Sequence, residues 1–178
     1  MGLHVQAVGA PLIDVVPGSH VTLGDRVVLV SRTPWTALGV ARPVILRTLR
    51  QGAIIHIGPD TGLSGVTVCA ATGVDIGARV LVGADVLITD TDFHPVDVCP
   101  RRTAPESAAV SRSVHIGDDV FLGARSIVLK GVSIGDGTVV GAGSVVSSSL
   151  PGHVVAAGNP CRVLRPLRLP VTADGSGR

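Results

Sequence analysis

From Ile57 onward the chain repeats every six residues, a period that leaves few folds open. An aliphatic residue opens each unit and a small residue usually follows. The first units are Ile57-Gly58, Leu63-Ser64 and Cys69-Ala70; after a one-residue slip come Ile76-Gly77, Val82-Gly83 and Ile88-Thr89. A second block runs Ile116-Gly117, Leu122-Gly123, Val128, Ile134-Gly135, Val140-Gly141 and Val146, and Leu23-Gly24 and Leu29 are an earlier trace of it. Six residues make one short strand plus a turn. Three such units close a triangular coil of about 18 residues, and coils stack at about 4.8 Å, so backbone hydrogen bonds join neighbours along the axis. The aliphatic side chain points inward onto its equivalents, and Gly serves wherever a corner requires positive φ. The expected fold is all-β, a parallel β-helix solenoid forming a single domain over 1–178.

Composition agrees with a narrow core. Hydrophobic residues make up 46% of the 178, yet aromatics only 2%, so Val, Ile, Leu and Ala must fill the interior. The 23 glycines and 12 prolines argue against long helices. Mean hydropathy is +0.51, but Gly, Asp or Arg interrupts every apolar run, so no membrane insertion is expected. The first residues lack the charged and apolar regions of a signal peptide. Three scattered cysteines (Cys69, Cys99, Cys161) form no disulfide framework and fit a reducing cytoplasm. A net charge of +2 without stacking aromatics argues against nucleic acid as a partner.

The repeat breaks twice. Residues 31–51, with Trp35 and Pro43, read as a small excursion and a partial coil. Residues 94–113, rich in Pro, Arg, Ser and Ala, read as a loop thrown out from one corner. The tail, 165–178, reads as a short cap followed by a mobile end.

Five segments carry a family likeness: Asp90-Thr-Asp-Phe-His94-Pro, Ile116-Gly-Asp-Asp-Val-Phe-Leu-Gly123-Ala, Gly131-Val-Ser-Ile-Gly-Asp-Gly, Gly141-Ala-Gly-Ser-Val-Val, and Ala157-Gly-Asn-Pro-Cys-Arg162-Val. In this order, over about 52–164, the chain resembles the hexapeptide-repeat acyltransferases, nearest to the galactoside, maltose and polysaccharide O-acetyltransferases. The resemblance implies a left-handed winding, a homotrimer with sites at subunit boundaries, and acetyl-CoA as acyl donor.

His94 stands where the six-residue register stops, and an imidazole of pKa about 6.5 suits a base for a hydroxyl attacking a thioester near neutral pH. The resemblance places the family's catalytic His on this residue. Asp90 or Asp92 could orient the ring, and a backbone carbonyl could serve equally well. Arg101 and Arg102, on the same loop, are candidates for binding the acceptor. Cys99 is nearby, but a thioester is already activated and needs no protein nucleophile.

Other roles come from the resemblance. Ser64 aligns with a polar acceptor-binding position that is often Asn in relatives, and Phe121 with a Trp beside the acyl pocket. Gly123-Ala124 matches the position whose backbone N–H faces the thioester oxygen. Pantetheine would lie beside Ala142 and the Ser147-Ser148 turn; relatives commonly carry Thr-Lys there, so Arg162, Arg165 and Arg168 are candidates for the phosphates.

The expected activity is acetyl transfer from acetyl-CoA to a hydroxyl of a saccharide or other small acceptor. N-acetylation of an amino sugar or amino-bearing antibiotic uses the same scaffold, and a non-catalytic β-helix scaffold is the competitor from another class. Carbonic anhydrases of this fold hold zinc with three histidines, two of them five residues apart. Histidines 4, 20, 56, 94, 115 and 153 give no such pair, so no metal is expected.

Overall fold

In the computed structural model, residues 2–168 are described. They wind as a parallel β-helix whose strands collect into three sheets of eight, six and five strands. Up to the cap strand, successive strands step from sheet to sheet, and each pairs in parallel with the strand one coil away. The expected mobile end, 171–178, lies outside the described residues. Among the described residues, no helix is long and apolar enough to cross a membrane.

The repeat becomes three inward columns. Leu29, Leu63, Val82, Leu122, Val140 and Ala156 stack in the first sheet. Leu46, Val68, Ile88, Val128 and Val146 stack in the second. Leu23, Ile57, Ile76, Ile116 and Ile134 stack in the third. Nearly all are fully buried, each worth about 1.5–3 kcal/mol of transfer free energy.

One column member differs from the reading of the sequence. Val68, not Cys69, enters the second column; Cys69 pairs with Thr89 one position out. The slip is therefore a short step from Leu63 to Val68 followed by a long one to Ile76. Two rungs also went unread, Gln6–Val8 and Leu12–Asp14, which lie on Val28–Val30 and Ile45–Thr48. They form the open end of the solenoid, where Ile13 remains 42% exposed.

The two breaks in the repeat fall at about residues 31–44 and 92–110. Strand Ile45–Thr48 already belongs to the second sheet, so the first excursion ends before it. The second is pinched at its neck by an antiparallel bridge between Thr91 and Ser111. The cap begins at Arg162: strand Arg162–Pro166 turns antiparallel onto Val154–Ala157 and ends the first sheet.

Candidate active site

The loop that carries His94 leaves the corner between the second and third sheets, after strand Leu87–Thr89, and rejoins the helix at Val114–Ile116. At its neck the Asp92 amide donates to the Val110 carbonyl (3.1 Å) and the Arg112 amide to the Asp90 carbonyl (2.8 Å). Farther out lie a short helix, Val98–Thr103, and a 3-10 turn, Glu106–Ala108. Arg50 fastens that turn, its Nη2 donating to the carbonyls of Glu106 and Ala109 at 3.2 Å each. Arg101, Arg102 and Cys99 are exposed on the helix.

His94 is exposed and follows Phe93, whose φ of +62° turns the chain sharply. The His94 amide donates to the Asp92 carbonyl at 2.7 Å. Neither aspartate serves the ring as expected. Asp90 is fully buried, and its carboxylate accepts the backbone N–H groups of Ala71, Thr72 and Gly73 at 2.6–2.7 Å. It fixes the corner of the coil below. Asp92 accepts from Lys130 Nζ at 2.6 Å, an ion pair with the coil above. A carboxylate committed in this way is a poor partner for an imidazole.

A second feature lies at the corner between the first and second sheets. There Ala84-Asp85, Ala124-Arg125 and Ala142-Gly143 stack into a groove of about 380 Å³, walled at one end by Leu38 and Gly39. Gly123 is required by close approach, because a Cβ would meet the backbone of Ala142 and Val140. Leu38 belongs to the first excursion. That segment folds over Gly65, next to Ser64, and is latched where the Ala41 amide donates to Asp85 Oδ1 at 2.9 Å. Phe121, 44% exposed, lies on the outer face of the first sheet beside Leu81. Arg162 and Arg165 are exposed on the cap strand, and Arg165, Leu167 and Arg168 line a separate cavity of about 380 Å³. Leu38, Asp85, Arg125 and Lys130 were not singled out in the sequence. Leu38 and Asp85 meet only through the folded loop, and no local pattern marks the other two.

The sequence-derived residues thus fall on two corners. His94, Asp92 and the Ser147-Ser148 turn lie at the corner between the second and third sheets; Ala124 and Ala142 lie at the corner between the first and second. Strands Ile127–Val128 and Val145–Val146 separate the two groups within one chain.

Residues 113–148 match the family model described as the hexapeptide repeat of succinyl-transferase. The galactoside O-acetyltransferase of Lactococcus lactis is 40% identical over 117 residues, which are 64% of this chain and 54% of the relative. That of Escherichia coli is 38% identical over 115 residues, 64% of this chain and 55% of the relative. The chain therefore spans about half the length of these curated relatives. Among solved structures, a galactoside acetyltransferase in complex with coenzyme A superposes with a TM-score of 0.64 at 33% identity, covering 83% of this chain and 65% of that one. The fold is the left-handed parallel β-helix of such proteins.

Proposed function

Because this chain is a hexapeptide-repeat β-helix that resembles the galactoside O-acetyltransferases in sequence and in fold, we propose that it is an acetyl-CoA-dependent O-acetyltransferase. Its acceptor is a hydroxyl of a sugar or sugar-containing molecule. The observation that carries the reading is the pairing of a free-standing His94 at a braced loop neck with a small-residue groove at the adjacent corner. Ala84, Ala124 and Ala142 leave room for a pantetheine arm to run against the backbone, and Arg125 supplies a cation inside the groove. Arg162, Arg165 and Arg168, around the cap, are the sites for the CoA phosphates.

His94 takes the proton of the acceptor hydroxyl as its oxygen attacks the thioester carbon. The amide near Ala124 steadies the oxyanion, the C–S bond breaks, and the imidazolium returns its proton to the departing CoA thiolate. Since His94 and Ala124 stand on different corners of one chain, a site that uses both is built from two chains, and a homotrimer closes three such sites. The outer face of the second sheet supports this. Ile45, Thr67, Leu87, Ile127 and Val145 line up there, half-buried, in a column, aliphatic but for Thr67, that faces away from the core.

The test is free-thiol release from acetyl-CoA with a panel of sugars and amino sugars, wild type against His94→Ala. The variant should lose about 10²–10⁴ in kcat while binding CoA as before. Turnover within about threefold of wild type would remove His94 from the chemistry.

A further inference from the structure

Lys130 is the only lysine in the chain. Its ammonium and the Asp92 carboxylate are 2.6 Å apart, with the two side chains only 26% and 23% exposed. Lys130 follows strand Ile127–Val128, which pairs with Leu87–Thr89, the strand from which the His94 loop departs. We propose that Lys130 is a positioning residue for His94, acting through Asp92; the inference rests on reading His94 as the base.

The neck of the loop is braced from both neighbouring coils by two aspartates two residues apart. Asp90 binds downward, to the amides of residues 71–73, and Asp92 binds upward, to Lys130. Between Asp92 and His94 stands Phe93, a non-glycine residue at φ +62°, a conformation that persists only where its surroundings hold it. The Asp92 carbonyl accepts the His94 amide, so a rotation at Asp92 is passed directly to the imidazole. The lower brace is buried in the helix wall. The upper brace is a single side chain that can be exchanged without opening the core.

Removing the cation leaves a mostly buried carboxylate uncompensated. That carboxylate must then turn toward solvent or toward another donor, and His94 is two residues away. Lys130 also keeps Asp92 from competing for the imidazole N–H, which leaves the ring to the acceptor hydroxyl.

The experiment compares Lys130→Met with Lys130→Arg. Lys130→Met should lower kcat by about 10- to 10²-fold, the scale of a small misplacement of a reacting group, and leave KM for acetyl-CoA and the CoA dissociation constant within about threefold. Lys130→Arg, which keeps the charge, should restore most of kcat. A second readout is independent of turnover. The Cε1–H resonance of His94, assigned by its disappearance in His94→Ala, should move in Lys130→Met and stay near its wild-type position in Lys130→Arg. Should Lys130→Met not fold, Asp92→Asn serves in its place and should reproduce both changes. An unmoved resonance with kcat within about threefold of wild type overturns the proposal. A wild-type protein that neither binds CoA nor releases thiol overturns the acyltransferase reading instead, and the resonance arm still decides the role of Lys130.

Discussion

His94 is held by its neighbours' backbone rather than by a side-chain partner, and this bears on which groups near it react. The one thiol on its loop, Cys99, is exposed, whereas burial pushes the thiols of Cys69 and Cys161 above their ordinary range. A native alkylation experiment at neutral pH should therefore modify Cys99 and spare the other two until the chain unfolds. Cys99→Ser should keep full activity, with intersecting double-reciprocal lines for the two substrates. Parallel lines and a one-acyl mass increase on the isolated protein would make Cys99 the nucleophile and His94 its activator. At this scale the sequence singles out His94 as a candidate, because the broken register isolates it. It marks the aspartates poorly: both stand beside His94 in the chain, but their partners lie at 71–73 and 130. Lys130 is 38 residues from Asp92, a distance over which only the coil geometry brings them together.

At the scale of strands and corners, the corner preceding the first sheet shows a charge ladder that the hydrophobic period does not reveal. Arg26, Asp60, Arg79 and Asp119 occupy equivalent left-handed turn positions in successive coils. Arg26 Nε reaches Asp60 at 2.6 Å, and Arg79 Nε reaches Asp119 at 2.7 Å. The hydrogen bonds from the two guanidiniums hold both carboxyls below the ordinary 3.8. A carboxyl whose folded pKa is depressed adds stability above its unfolded pKa and loses it as pH falls through the folded one. Replacing Arg79 by Gln should therefore lower Tm slightly at pH 7, and the difference should fade as pH falls below the ordinary carboxylate range. The gap should also shrink in 1 M salt, since these groups are exposed. A gap that is constant across pH would mean that Arg79 acts by packing alone. The period itself was readable because each column needs an aliphatic residue at a fixed interval. It misled at Cys69 because Val68 beside it is equally apolar, and only pairing with Ile88 selects between them. It missed Gln6–Val8 and Leu12–Asp14 because no glycine follows their inward residues, and at the open end Ala7 is exposed and Ile13 half-covered.

At the scale of the molecule, the second sheet separates the two groups of residues that the proposed site calls on. One corner offers His94 and its braced loop; the other offers the groove with Ala124, Arg125 and Ala142. If they work together only across a subunit boundary, two defective chains can repair each other. His94→Ala keeps the groove and loses the base; Ala142→Trp fills the groove and keeps the base. Each should be inactive alone. Unfolded together in equal amounts and refolded, they should regain about one quarter of wild-type activity, since half the chains supply an intact loop and half an intact groove at each boundary of a closed ring. Light scattering should give three chains of 18.0 kDa for wild type and for the mixture. Leu87→Asp with Ile127→Asp, which charges the outer column of the second sheet, should give folded single chains that neither assemble nor turn over. Recovery requires that base and groove come from different chains. A mixture with no activity beyond its inactive parents, formed from fully exchanged trimers, would mean that each chain carries a whole site, with loop 94–113 reaching its own groove.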